Sequence, residues 1–196
     1  AAAAAAAATK LESAGWQKNS ETNLWEQKTK TETTVLAFTL STSDLPELKT
    51  AAGQLKKIWE QFGARVEVKI FEAGALNQNV IRPREYEALL FGEVVNRPAD
   101  LYSFWHSSQR LDPGLNVALY TNTKVDKLLE KEAYVAAAVE IVRETPAVFL
   151  YSPDFLYLLP ETIKGVALNL VNTPADRFLN INQWFINTEK IWPIFR

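Results

Sequence analysis

Asp100, Ser103 and His106 stand close together in the chain, and an acid, a hydroxyl and an imidazole are the parts of a nucleophilic triad. No pair of glycines flanks the serine as a nucleophile elbow requires, and His106 is the only histidine in the sequence. The group therefore reads as structural or surface residues, and no catalytic residue is assigned. A single histidine and no cysteine leave metal ligation unsupported as well, because neither a two-histidine helix motif nor a carboxylate loop of calcium spacing occurs. Glu85, Glu87 and Glu93 raise paired-carboxylate chemistry, but they alternate with apolar positions as the wet face of a strand does. Gly63, Gly74, Gly92 and Gly114 are isolated and lack the spacing that cradles a phosphate. No cofactor or metal is called for, and an enzyme is not expected.

Composition narrows the partners. With 196 residues, 47% of them hydrophobic and 22% charged, the chain can bury a core and falls outside the disordered range. A formal net charge of -2, without a basic cluster or an aromatic-basic repeat, argues against nucleic acid as a partner. No apolar run reaches the ~20 residues of a membrane span. The opening alanines, Ala1 to Ala8, do not form a signal peptide, so an export signal or membrane anchor is expected only upstream. Those alanines, the triplet Ala136 to Ala138 and the absence of methionine lead to the expectation of a piece of a longer protein.

The elements that would carry a site follow from periodicity and capping. Thr9 to Trp16 reads as the end of a helix closed by Gly15. Thr34 to Leu40 is β-branched and apolar, a strand buried on both faces. Asp44, Pro46 and Glu47 supply an N-cap, a first-turn proline and a capping-box acid. Leu48, Ala51, Leu55, Ile58, Trp59 and Phe62 follow as one apolar stripe, and Gly63 ends the helix.

Val66, Val68 and Ile70 alternate with charged residues in a further strand, Leu76 to Arg82 reads as a short helix, and Glu87 to Phe91 as a third apolar strand. Strand, helix, strand, helix, strand predicts a parallel sheet with right-handed crossovers, an α/β lobe. Asn122 is placed to cap a helix carrying Val125, Leu128 and Leu129, and Tyr134 to Glu144 is helical.

One stretch carries a family likeness. The apolar strand Glu87 to Phe91 ends in Gly92, a polar turn holds Pro98 and Asp100, the run Leu-Tyr-Ser-Phe-Trp-His-Ser-Ser spans Leu101 to Ser108, and Tyr-Thr-Asn-Thr-Lys-Val-Asp opens a helix at Tyr120 to Asp126. In order and spacing this resembles the closing portion of the family-5 extracellular solute-binding proteins, the peptide- and nickel-type receptors of ABC importers. The resemblance runs from Lys10 to about Lys190, and it implies the first strand of a hairpin at Leu24 to Glu26, strands at Thr145 to Tyr151 and Phe155 to Leu158, and a longer connection where this chain passes almost directly from Ala133 into Tyr134.

It implies the C-terminal lobe of a two-lobed, type II periplasmic-binding-protein-like fold, with residues 1–170 as the ligand-binding lobe and 171–196 returning toward the other lobe. It further implies capture of an oligopeptide or similar small solute on the extracellular face of the cytoplasmic membrane or in the periplasm, and delivery to an ABC permease. A non-transport relative acting as sensor, chaperone or scaffold is the alternative. In the family an extended peptide pairs its main chain with the segment after the glycine, which implies ligand contact at Phe91, Gly92, Glu93, Val94, Val95 and Asn96. Peptide-binding relatives often place an aspartate where this chain has Asn96, so the counter-charge for a peptide ammonium is missing there. Asp100 is the candidate replacement, although its position equally suits a turn.

Overall fold

The computed structural model describes the chain except Ala1, Phe155, residues 168–170, Asn172 and residues 188–196. It divides into two compact units, one formed by Ala1–Gly92 with Ser108–Leu119, the other by Glu93–Ser107 with Tyr120–Arg196.

The first unit begins with helix α1 (Ala2–Ser13) and a small antiparallel sheet of β1 (Gln17–Lys18), β2 (Trp25–Lys28) and β3 (Thr33–Val35), in the order β1-β2-β3. Trp25 is buried in β2; its indole N–H donates to the Phe62 carbonyl at 3.0 Å, and its ring lies 5.7 Å from that of Phe62. The expected single strand Thr34 to Leu40 is broken at Leu36, whose N–H donates to the Trp25 carbonyl. Its first part belongs to β3 and the remainder to β4 (Ala37–Ser43), in a different sheet.

That second sheet is parallel, with β4 central between β5 (Arg65–Phe71) and β6 (Ala88–Leu90). The three strands expected side by side are side by side. Register pairs Leu40 with Val68 and with Ala88, which places Leu40 among Ala52, Ala64, Val66 and Leu90 in the core.

Helix α2 (Pro46–Phe62) covers the sheet and ends at Gly63, whose φ of 110° lies in the left-handed region. A Cβ there would stand 2.6 Å from the Asn23 carbonyl oxygen, so both conformation and space require glycine. Two details of the helix depart from expectation. Leu45, not Asp44, is the N-cap, without a side-chain cap bond; the Asp44 backbone N–H donates to the Phe71 carbonyl at the end of β5, and Asp44 lies between the end of β4 and the helix cap. Ile58 is 59% exposed, because the buried face centres on Ala52, flanked by Leu48, Leu55 and Trp59, and at 100° per residue Ile58 falls on its flank.

The expected helix Leu76 to Arg82 starts earlier, as α3 (Ala73–Leu76), and continues as a π-helical turn, Asn77–Ile81. Glu72 sets the start by accepting from the Gly74 and Ala75 N–H groups, a cap that helps hold its carboxyl below the usual range. Arg84 then secures the returning segment 108–119, donating to the Arg110 carbonyl at 2.9 Å and the Gly114 carbonyl at 2.6 Å.

In the second unit, α4 (Asp100–Trp105), α5 (Thr123–Glu130) and α6 (Tyr134–Glu144) bury Trp105, Val125, Leu129, Ala137 and Ile141. Asn122 caps α5 as expected, accepting from the Lys124 and Val125 N–H groups, while its own amide donates to Glu144 at 2.8 Å. Asn122→Ala should cost about 1 kcal/mol in urea unfolding. An unchanged midpoint would count against this cap.

Glu140 is a buried carboxylate on α6 held by Lys124 and Arg143. The strands expected at Thr145–Tyr151 and after Phe155 do not form among the described residues. Val148, Phe149, Tyr151, Leu156 and Leu158 are exposed, and no described strand is paired with them to complete a ladder. Phe155 itself lies outside the described residues. A short hairpin, β7 (Ile163–Lys164) with β8 (Phe185–Ile186), closes the unit. Of the expected C-terminal segment, Asn172 and residues 188–196 also lie outside the described residues.

Candidate functional site

β6 delivers the candidate segment. Its ladder partner β4 holds it in parallel register, and the buried Thr42 hydroxyl donates to the Leu90 carbonyl at 2.8 Å. Regular strand structure stops at Leu90, one residue before the expected end at Phe91. Phe91 is half-buried, and Gly92 to Asn96 are exposed. Beyond the ladder, the main-chain groups of Glu93, Val94 and Val95 make no hydrogen bond with any described residue. Three consecutive exposed residues thus have main-chain donors and acceptors unpaired among the described residues, a condition under which a chain accepts another strand.

Gly92 adds a second feature. A Cβ at this position would meet nothing within 4 Å, and its φ is not in the left-handed region. Neither its conformation nor packing against the described residues calls for glycine there.

Asp100 has a local task. Its carboxylate accepts from the Asn96 and Arg97 N–H groups at 3.0 and 3.2 Å and from the Arg97 guanidinium at 3.1 Å. The Arg97 side chain, aided by those two backbone donors, holds the Asp100 carboxyl below its ordinary range. The turn reading of Asp100 is realised, and the same bonds fix the backbone at Asn96.

Glu93 behaves differently from the other carboxylates once grouped with it. Glu87 accepts from the Thr39 N–H at 2.6 Å, whereas the side chains of Glu85 and Glu93 make no hydrogen bond or ion pair among the described residues; burial sets Glu93 apart from Glu85. Although its surface is wetted, protein crowds the carboxyl, and burial pushes it up to about 7. Alternation along the sequence could not separate Glu93 from Glu85 and Glu87. Only its position beyond the end of the strand does so.

The imagined triad is reorganised. His106 is buried, its ring stacked on Tyr102 with centroids 4.2 Å apart, and its Nε2 faces Glu130 at 3.6 Å and Asp126 at 3.9 Å. Asp126 also accepts from the Ser107 backbone and hydroxyl, at 2.9 and 2.6 Å. These contacts tie the end of α4 to α5, with Asp126 in the place that sequence proximity had assigned to Asp100. Among the described residues, no group of three or more histidine or acidic side chains is arranged to hold a metal ion. No helix among them is long and apolar enough to cross a membrane.

No family profile matches the sequence, and no curated protein matches it. Solved structures do. The chain is similar to the oligopeptide-binding protein AppA from Bacillus subtilis, solved in complex with a nonapeptide, at a TM-score of 0.65 and 24% identity, over 92% of this chain and 36% of that one. NikZ from Campylobacter jejuni, solved in complex with Ni(L-His), gives a TM-score of 0.66 and 20% identity, over 92% of this chain and 38% of that one. The fold is that of the peptide- and nickel-type solute-binding proteins. An oligopeptide-binding protein from Thermus thermophilus, complexed with a pentapeptide, matches 70% of this chain and 27% of its own length, at a TM-score of 0.59 and 13% identity. The chain spans somewhat over a third of the length of AppA and NikZ. This periplasmic-binding-protein-like architecture agrees with the α/β expectation from sequence.

Proposed function

We propose that this chain forms the C-terminal ligand-binding portion of a solute receptor that captures an oligopeptide or similar small solute. The receptor works outside the cytoplasmic membrane, without catalysis, and delivers its cargo to an ABC permease; any membrane anchor lies upstream. The observation that carries this reading is the main chain of Glu93 to Val95, unpaired among the described residues and exposed directly beyond the end of β6. A bound peptide pairs with such a segment through backbone hydrogen bonds, a mode that recognises extent more than side chains. Gly92 supports it: a glycine that packing against the described residues does not need leaves room for close approach of a ligand backbone. Structural neighbours solved with a nonapeptide, a pentapeptide and a nickel-histidine complex define the range of ligands to try.

The test is calorimetry on the full-length receptor with unmodified and backbone N-methylated peptides. Each net main-chain bond contributes about 0.5 to 1.5 kcal/mol, so methylation across the paired stretch should weaken binding by more than about tenfold, while Val94→Ala changes it by less than about threefold. Gly92→Ala should leave the unfolding midpoint level or slightly raised and lower affinity. Equal binding of methylated and unmodified peptides would refute backbone pairing at this segment.

A further inference from the structure

We propose that Glu93 reads ligand charge, acting as the counter-charge for a cationic group on the solute; this rests on the ligand-binding reading of the Phe91 to Asn96 segment. From Phe91 to Asp100 the charged residues are Glu93, Arg97 and Asp100. Arg97 and Asp100 neutralise one another through the guanidinium contact and the turn, and Asn96 carries no charge. Farther back, Glu87 is engaged with the Thr39 N–H, Arg82 with Asp112, and Arg84 with backbone carbonyls; Glu85 has no side-chain partner among the described residues either, but it precedes β6 and is not on the segment that follows it. On this stretch Glu93 keeps a carboxylate without a partner among the described residues, beside main-chain groups that are themselves unpaired.

Its surroundings raise the value of such a partner. Burial lifts the Glu93 carboxyl to about 7, the sign of a carboxylate that has lost part of its hydration without receiving a compensating charge. An ammonium or guanidinium that docks there replaces missing hydration and forms a charge-assisted hydrogen bond. The exposed surface of the residue leaves it accessible from solvent. Discrimination between a cationic ligand and its neutral isostere should be roughly ten- to a hundredfold, the ratio expected for one hydrogen bond to a charged group.

The experiment titrates the full-length receptor and its E93Q and E93D variants with matched peptide pairs, at about pH 6 and about pH 8, on either side of the Glu93 titration. One pair differs by acetylation of the N-terminus, and others by acetylation of a single lysine placed at successive positions. The wild-type protein should prefer one cationic member by roughly ten- to a hundredfold at the higher pH, and less at the lower, where Glu93 is largely protonated. E93Q should show no preference between the cationic and neutral members of any pair at either pH, and E93D should retain part of it. Equal binding of cationic and neutral peptides by the wild type, or a preference that survives in E93Q, overturns the role of Glu93 while leaving peptide binding itself intact. Failure of every peptide to bind overturns the ligand class and this inference with it.

Discussion

Trp25→Ala should lower the unfolding free energy by about 3 to 5 kcal/mol, read from the urea midpoint at constant slope. The indole is nearly inaccessible to solvent and links two parts of the first unit. Its ring packs on Phe62, its N–H satisfies the Phe62 carbonyl at the helix end, and its backbone N–H donates to the Gly63 carbonyl at 2.9 Å. Alanine would empty the largest of these contacts and leave the helix-terminal carbonyl without its indole donor. Trp25→Phe separates the two effects, because it keeps an aromatic ring and removes the N–H, at about 1 kcal/mol. If the alanine variant loses less than about 1 kcal/mol, the small sheet is not anchored to α2 through this side chain.

A loss of about 2 to 5 kcal/mol is expected for Leu40→Ala, the cost of a cavity at the centre of the parallel sheet. Leu40 lies on the middle strand, 2% exposed, with Val66 and Leu90 from its two neighbours and Ala52 from the helix in the same cluster. Ile58→Ala is the control. That residue lies on the solvent side of the same helix, so its truncation should change stability by no more than about 0.5 kcal/mol. Comparable losses from the two variants would show that the buried face of α2 is not the one centred on Ala52.

The contrast between these two residues marks what periodicity can and cannot resolve. Both are aliphatic members of plausible patterns, and the spacing from Leu48 to Phe62 establishes an amphipathic helix without locating the edge of its buried arc. The edge depends on where β4 and β5 press against the helix. Ala52, fully buried, gives little sequence signal because alanine is at home on either face.

Local chemistry was legible at several helix ends, though not at the start of α2, where Leu45 stands in place of the expected Asp44 cap. Asn122 caps α5, Gly63 closes α2 in the left-handed conformation, and Tyr134 to Glu144 is helical to the residue, because side-chain capping and backbone sterics need only sequence neighbours. Parallel order was legible too, since alternating strands and helices leave few other arrangements. Strands whose existence depends on a remote partner were not. Thr145 to Tyr151 has strand composition and no strand, because composition does not supply the hydrogen-bonded neighbour that makes one.

For the site, the sequence by itself determined that an apolar strand runs into a glycine and a polar turn, and that Asn96 brings no charge to that turn. Tertiary structure decided the electrostatics. Asp100 and Glu93 are both carboxylates on one short stretch, yet the fold of the turn brings Arg97 and two N–H groups onto Asp100. It leaves Glu93 crowded and without a described partner. The energy of a carboxylate depends on distances of a few ångströms to donors and on the protein packed around it, and those are properties of the folded chain.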